Sequence, residues 1–221
     1  MARVFIIGGG SSLRGFPFNR LSKVDCITIN RSLFDVPSPK YFITIDHSFL
    51  YKIKARREQK ILAHTSATKF FIANFGGGQL RFKGGAIYCT KTKKSYNLSA
   101  FDVVIKSTKI GGIGGNWNEF STGNCSGFCA LQLAVLLGYT EIYLLGIDLV
   151  ASDDGAVHYH SAEGYNANKT EQSLPEYHAY FHDALFQIDH RPEFRHIRVI
   201  SCSKISALND IIPYRNPLKV L

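Results

Sequence analysis

The apolar residues of this chain fall into short runs that alternate with longer polar or amphipathic stretches. Continuous apolar runs predict buried strands near residues 3–7, 25–30, 41–46, 68–74, 101–106, 141–147 and 197–202. Apolar positions at near-helical spacing predict helices near residues 13–22, 48–62, 126–137 and 174–189. Because strands alternate with helices, we expect an α/β fold built on a mainly parallel sheet.

The most informative stretch is residues 124–150. A helical apolar pattern begins near Ser126 and ends at Gly138, and glycine commonly closes the C-terminus of a helix. A continuous apolar run follows, and Asp148 stands where its strand is expected to emerge from the sheet. Ligands of open α/β sheets bind outside the carboxyl ends of the strands. The pattern therefore favours a functional Asp148 over a merely solvated acid.

The first predicted strand runs directly into the sequence GGGSS at residues 8–12. Backbone amides and serine hydroxyls in such a turn can hold a phosphate. The spacing differs from the GxGxxG fingerprint, and the turn lacks the Gly-Lys-Ser/Thr ending of a P-loop. These differences argue against a standard NAD site and a Walker ATP site. The alternative to a phosphate-binding turn is a tight turn that binds no ligand.

Length and composition indicate one domain with a sizeable core, since the chain has 221 residues and 45% hydrophobic content. Its longest apolar runs are too short to span a bilayer, and its N-terminus lacks the pattern of a signal peptide. The five cysteines are an odd number without a CxxC pair, which argues against a disulfide framework. We therefore expect a cytoplasmic protein without a transmembrane segment.

The formal net charge of +9 is concentrated in one segment. Residues 51–110 hold thirteen Lys and Arg residues and two acids, so they carry +11, and the rest of the chain carries −2. Such a concentration indicates a polyanionic partner, and a solvated basic face without a partner is the alternative. Short alternating runs between glycines predict a small β-hairpin, and we assign residues 51–98 as a basic insertion on a single domain spanning 1–221. Its candidate acceptor-binding residues are Arg56, Arg57, Lys93 and Lys94.

Two polar stretches, residues 107–123 and 149–173, are predicted to be long loops, which are often functional. The first contains Trp117, the only tryptophan. Beyond Asp148, four histidines crowd together: His158, His160, His178 and His182. Histidine exchanges a proton near neutral pH, and its neutral ring can bind metals. No HExxH motif surrounds these residues, so a general base is favoured over a metal site, with surface histidines as the alternative.

Several of these motifs together resemble the small bacterial sialyltransferases of glycosyltransferase family 42 and the related flagellin-modifying and 6-hydroxymethylpterin pyrophosphokinase-like proteins. The specific part is SGFCALQLAVLLGYTEIYLLGID at residues 126–148. Supporting parts are GGGSSL at 8–13, TIN at 28–30, TID at 44–46 and CSKISALN at 202–209, whereas residues 51–120 show little likeness. The resemblance implies a single Rossmann-like (GT-A-type) domain that uses a CMP-sugar donor and requires no metal or other cofactor.

The resemblance also implies roles for individual residues. The donor site would comprise Gly8, Gly9, Gly10, Ser12, Asn30, Asp46, Ser126 and Gly127, with His158 or Tyr159 contacting the donor phosphate. The catalytic set would comprise His178 as general base, His182 as the second choice, and Asp148. Two departures leave the donor sugar open, because Gly9 replaces an asparagine of the family and an arginine expected near Gly123 is absent.

We therefore expect a nucleotide-sugar-dependent glycosyltransferase that acts on a hydroxyl of a polyanionic acceptor. The resemblance points to a lipooligosaccharide or other surface glycan, and the basic segment points equally to duplex DNA carrying a hydroxymethylated base. The first alternative is an ATP-dependent pyrophosphokinase of a small alcohol, for which Asp148, Asp153 and Asp154 are the clustered acids that could hold Mg²⁺. The second is a non-catalytic nucleotide-binding module.

Overall fold

The computed structural model describes residues 2–46, 49–74, 80–83, 86–89, 94–107, 109–160 and 167–221. The predicted residue Lys93 lies outside these ranges. Ten strands are present among the described residues: β1 (Arg3–Ile7), β2 (Cys26–Ile29), β3 (Tyr41–Thr44), β4 (Thr68–Asn74), β5 (Leu80–Lys83), β6 (Ala86–Cys89), β7 (Lys94–Asn97), β8 (Val103–Ser107), β9 (Glu141–Leu145) and β10 (Arg198–Ser201). The helices are α1 (Phe49–Lys52), α2 (Arg56–His64), α3 (Ser126–Leu136), α4 (Ala167–His190) and α5 (Pro217–Val220).

Seven strands form one all-parallel sheet in the order β10-β9-β1-β2-β3-β4-β8. Strand β1 is an interior strand, third from the β10 edge, and it pairs along its whole length with β9, from Arg3 opposite Glu141 to Ile7 opposite Leu145. Each of the seven predicted strands is present close to its expected position, including the strand at 68–74 that was assigned to the insertion. The prediction of a Rossmann-like α/β fold with a mainly parallel sheet is therefore confirmed.

Both faces of the sheet are covered, which explains why its central strands are apolar throughout. Val4 and Ile6 of β1 join a cluster with α3 and α4 on one face. Phe5 and Ile7 point to the opposite face, where Phe5 stacks on Tyr143 of β9 with ring centroids 4.7 Å apart. Each fully buried side chain of this size stabilises the folded state by about 1.5–3 kcal/mol relative to an exposed one, so the two clusters hold the central strands in place.

The prediction of a helix over residues 13–22 is wrong. Two 3₁₀ segments, Ser11–Leu13 and Phe18–Lys23, occupy this region. Gly15 between them adopts a left-handed φ of 70°, and Pro17 has no amide hydrogen with which to continue a helix. The compact 3₁₀ connection keeps the turn after β1 close to the sheet.

The other predicted helices are present with altered boundaries. The helix expected over residues 48–62 consists of two helices, α1 and α2, which are separated by extended backbone at Ala55. Helix α3 matches its prediction, and α4 begins at Ala167, earlier than the expected residue 174. Within the described part of the chain, no helix combines the length and apolar character needed to cross a membrane.

The basic excursion from the main sheet is shorter than the predicted insertion over residues 51–98. Strand β4 lies inside that range, yet it pairs with β3 and β8 in the main sheet. Its residues Phe70, Phe71, Ile72 and Ala73 are buried, and this burial makes β4 part of the core. The separate element is a three-stranded antiparallel sheet of β5, β6 and β7, rather than the predicted hairpin.

The glycine-rich loop predicted over residues 107–123 is held by side chains of α3 and α4. Gln132 of α3 accepts a hydrogen bond from the Gly114 amide at 2.7 Å and donates one to the Gly114 carbonyl at 2.8 Å. Asp183 of α4 accepts from the Gly112 amide at 3.0 Å. Trp117 lies on a 3₁₀ turn of this loop and is 45% exposed. Side-chain bonds thus order a segment that has too much glycine to form a helix or strand.

Candidate functional site

A cavity of about 450 Å³ opens at the carboxyl edge of the sheet. From β1 the chain builds β2, β3, β4 and β8 toward one edge, and then places β9 and β10 on the other side of β1. Ligands of open α/β sheets bind where the strand order reverses in this way, and the volume is typical of a small-molecule site. The cavity brings together these predicted residues: Gly8, Gly9, Gly10, Asn30, Asp46, Ser126, Gly127, Asp148 and His158.

The first two glycines after β1 are close to other parts of the cavity wall. A methyl group on Gly8 would overlap the carbonyl of Gly146, because β1 and β9 converge there. A methyl group on Gly9 would lie 3.3 Å from Nδ1 of His158 at the cavity wall. Within the described chain, the Gly9 amide donates no hydrogen bond, so it can donate to a ligand.

Asp148 is 3% exposed, and its carboxylate is bound by the turn after β1. Oδ1 accepts from the Ser12 hydroxyl at 2.6 Å, and Oδ2 accepts from the Ser12 amide at 2.9 Å. A methyl group on Gly10 would overlap the same carboxylate. Asp148 therefore shapes the turn, while its predicted part in catalysis stays a prediction. Ser12 points its hydroxyl at Asp148 and is not among the described lining residues.

The ends of β2 and β3 are joined by hydrogen bonds at the cavity. The Thr44 hydroxyl donates to Oδ1 of Asn30 at 2.6 Å and accepts from the Asp46 amide at 3.0 Å. Asp46 also forms an ion pair with Lys52 at the end of α1, with 2.7 Å between Oδ2 and Nζ. These contacts fix two of the predicted donor-site residues relative to each other.

The N-terminus of α3 forms another wall of the cavity. Ser126 begins this helix, and its hydroxyl accepts from the Ile45 amide at 3.2 Å, which ties the helix to the end of β3. Helix N-termini present free amides and partial positive charge, and they commonly bind phosphates. Cys125 precedes the helix, and burial raises the pKa of its thiol, so the thiolate is disfavoured at this wall.

Three residues without the freedom of glycine adopt left-handed backbone at the cavity. Asn30 has a φ of 52°, Asn124 of 48° and Leu149 of 54°, and all three line the cavity. Asparagine tolerates this region, whereas a leucine there costs about 1–3 kcal/mol. Such strain clusters at functional sites because the surrounding structure must hold it, and its location supports a binding role for this cavity.

The segment after β9 folds back over the glycine turn. The Tyr159 amide donates to the Gly9 carbonyl at 3.0 Å, and the Tyr159 hydroxyl donates to Asp35 at 2.6 Å, away from the lining residues. The rings of His158 and His160 are stacked, with centroids 5.2 Å apart. Burial lowers the pKa of His158, and burial together with the nearby His158 and Arg31 side chains lowers the pKa of His160 to about 4. Both rings are therefore neutral at physiological pH.

The two histidines predicted for catalysis lie on α4, outside the described lining of the cavity. His178 follows Tyr177, which does line it, and Nε2 of His178 lies 3.2 Å from the Ala207 carbonyl oxygen. Since a carbonyl can only accept, Nε2 carries the hydrogen and Nδ1 is the basic nitrogen. His182 lies one turn further along and lines a different cavity beside β10. The predicted catalytic roles of both residues stay predictions.

The predicted acceptor residues lie in separate elements. Arg56 and Arg57 are exposed at the start of α2, and Lys94 begins β7. Other basic residues of the segment are paired, including Lys69, whose Nζ lies 3.1 Å from Asp102. The acceptor role of these residues stays a prediction.

Sequence reasoning missed several lining residues, among them Lys52, Asn124, Leu149 and Tyr177. Lys52 was grouped with the basic segment, although its place six residues after Asp46 was a signal that it lies near the same strand end. Burial raises the pKa of Tyr177, so its hydroxyl stays protonated and can donate a hydrogen bond. Among the described residues, no three His, Cys, Asp or Glu side chains form a metal-binding group.

Comparison with known proteins gives matches at the level of structure. No protein-family model and no curated protein sequence matches the chain. The sialyltransferase CstII from Campylobacter jejuni in complex with CMP-3FNeuAc has a TM-score of 0.51 and 16% identity, covering 96% of this chain and 85% of that chain. The sialyltransferase CST-II in complex with a trisaccharide acceptor and CMP has a TM-score of 0.52 and 17% identity, with the same coverages.

A MAf glycosyltransferase from Magnetospirillum magneticum AMB-1 is also similar, with a TM-score of 0.49 and 14% identity. The match covers 97% of this chain, which spans only 33% of that longer protein. At these identities the likeness to the sialyltransferase structures shows a shared fold.

Proposed function

We propose that this protein is a nucleotide-sugar-dependent glycosyltransferase with a CMP-sugar as its favoured donor. The observation that carries the proposal is the cavity at the reversal of strand order. There the Gly9 amide and the N-terminus of α3 offer hydrogen-bond donors to a phosphate. The side chains of Asn30 and Ser126 offer polar contacts to the nucleoside. Structures of the similarly folded sialyltransferase with CMP and CMP-3FNeuAc support a cytidine nucleotide as the ligand.

The proposed reaction needs a base for the acceptor hydroxyl and stabilisation of the departing phosphate. The acceptor oxygen bonds to the anomeric carbon, the bond from that carbon to the phosphate oxygen breaks, and the electron pair leaves with CMP. The acceptor proton passes to Nδ1 of His178, whose other nitrogen is oriented by the Ala207 carbonyl. The Gly9 amide and the amides at the N-terminus of α3 would stabilise the developing charge on the phosphate.

We expect CMP to bind more tightly than UMP, AMP or GMP. A ligand at a hundredfold excess over its Kd stabilises the folded state by about 2.7 kcal/mol, which raises the Tm of a chain of this size by about 5–10 °C. Thermal-shift measurements with the four nucleotides, followed by calorimetric titration, test the expectation. Selective binding of AMP and ATP instead of CMP would contradict it and favour the pyrophosphokinase alternative.

We further infer that the acceptor is polyanionic, because the +11 segment exposes Arg56 and Arg57 next to the main fold. If the acceptor is duplex DNA, log K must fall with log[salt] at a slope of about −0.9 per phosphate contacted. Arg56→Glu with Arg57→Glu, and separately Lys93→Glu with Lys94→Glu, should weaken duplex binding similarly for all sequences, because phosphate contacts carry no sequence information. Fluorescence anisotropy over a range of salt concentrations measures both effects.

The matched control is Arg195→Glu with Lys204→Glu, which reverses two exposed charges outside the basic segment. It is expected to leave the salt slope unchanged. Undetectable or salt-insensitive duplex binding at low ionic strength eliminates DNA and leaves an anionic glycan as acceptor. A glycan is the second acceptor to be tested, because the similarly folded sialyltransferase binds a trisaccharide acceptor.

A further inference from the structure

Lys52 is the only lysine or arginine among the described residues that line the cavity. It ends α1, and apolar neighbours anchor the backbone that carries it. Phe49 is 1% exposed and Ile53 is 5% exposed, and both belong to one buried cluster. Phe49 lies against the ring of Phe42, with centroids 5.4 Å apart. Buried residues on both sides therefore hold Lys52 at the cavity wall.

The formal charges of the described lining are those of Asp46, Asp148 and Lys52. The Asp148 carboxylate is already bound by the amide and hydroxyl of Ser12. Burial lowers the pKa of His158, so its ring adds no positive charge at neutral pH. A phosphate that enters this cavity meets one full positive charge in the described lining, that of Lys52, beside the partial charge of the α3 N-terminus.

We propose that Lys52 binds the phosphate of the nucleotide donor and that Asp46 holds its ammonium group in position. This inference rests on the proposed function, because it assigns a contact within the same donor site. An ammonium group has three hydrogen-bond donors, so Lys52 can keep its 2.7 Å contact with Asp46 and also contact a phosphate oxygen. The side chains of Lys52 and Asp46 are 31% and 25% exposed, and at this burial salt screens their charges less than at an open surface.

The experiment compares cytidine with CMP, which differ only in the phosphate. We expect Lys52→Met to reduce the preference for CMP over cytidine about 10- to 100-fold, the range for a lost hydrogen bond between charged groups. The loss should fall on CMP, while the Kd of cytidine changes less than twofold. Lys52→Arg should retain part of the preference, because it keeps the charge with a different donor geometry. Calorimetric titration of the wild type and of each variant with both ligands gives the ratio of the two Kd values for each protein.

The matched control is Lys23→Met, which removes the same charge from an exposed position before β2, at the opposite edge of the sheet. It should leave the ratio within twofold of wild type. Equal weakening of cytidine and CMP by Lys52→Met, or an unchanged ratio, overturns the role of Lys52 while the nucleotide site stands. Wild-type protein that binds neither cytidine nor CMP overturns the proposed function and this inference together.

Discussion

Alanine in place of His178 is expected to lower the turnover of sugar transfer about 10²- to 10⁴-fold, with little change in CMP affinity. The proposed role of the ring is to remove a proton in the chemical step, and it lies outside the described lining of the nucleotide cavity. Its Nε2 contact with the Ala207 carbonyl leaves Nδ1 to accept the proton. Steady-state kinetics with a CMP-sugar and acceptor measure turnover, and titration with CMP measures affinity.

His182→Ala is the matched control for this prediction. His182 lies one helical turn from His178, with 6.4 Å between ring centroids, and it lines a cavity beside β10 instead. We expect its turnover to stay within about threefold of wild type, a change small beside that of a lost general base. If His182→Ala is inactive and His178→Ala is not, the base is one turn further along α4. A large loss in His158→Ala alone would place the base on the segment after β9.

Ser126→Trp is expected to abolish detectable CMP binding, a loss of at least about 100-fold in affinity. Ser126 is 8% exposed at the start of α3, so an indole there must project into the cavity or displace the helix N-terminus. Its hydroxyl also holds the end of β3 through the Ile45 amide. Binding by preformed cavities depends on the space and polar groups that they offer, and the substitution removes both. Calorimetric titration with CMP measures the loss.

Two further variants show whether that loss is local. Ser22→Trp adds the same side chain at an exposed position before β2 and should leave CMP affinity unchanged. Ser126→Leu fills less of the cavity and is expected to fold, as checked by circular dichroism and Tm, while it still weakens CMP. Full CMP affinity in a folded Ser126→Trp variant would show that the nucleotide binds elsewhere.

The central strands and α3 could be predicted from the sequence because they are buried on all sides, and this burial requires apolar residues at nearly every position of the segment. In β1, side chains of alternate residues pack into separate clusters on the two faces, so every position is apolar. The helix predicted over residues 13–22 failed because its apolar spacing competed with Gly15 and Pro17, and these residues decide the backbone locally. Strand β4 was assigned to the wrong unit because its partners, β3 and β8, are distant in sequence.

The sequence predicted in part which strand ends meet at the cavity. Parallel strands bring their carboxyl ends to one edge, so Gly8 and Asp148 were expected together there. The family resemblance added Asn30 and Asp46, and all four residues line the cavity. The hydrogen-bond and ion-pair partners of these residues were not predicted. Asp148 binds Ser12 across 136 residues, and Asp46 binds Lys52, which composition had grouped with a basic surface. The pairing of Asp148 with Ser12 depends on how distant segments pack together, which the local sequence pattern does not show, whereas the spacing of Lys52 from Asp46 was a local signal that was not used.

The sequence by itself determined the α/β class, the core strands and the edge of the sheet at which polar residues gather, because hydrophobic burial acts on every segment separately. Only the tertiary structure decided the strand order, and with it the place of the cavity between β1, β9 and α3. It also placed Gly146 against Gly8 and Asp148 against Gly10, so that neither glycine has room for a side chain. The physical reason is that strand order and close packing arise from contacts between residues far apart in the chain. The energy of such a contact depends on both residues, so the local sequence around one of them does not predict it.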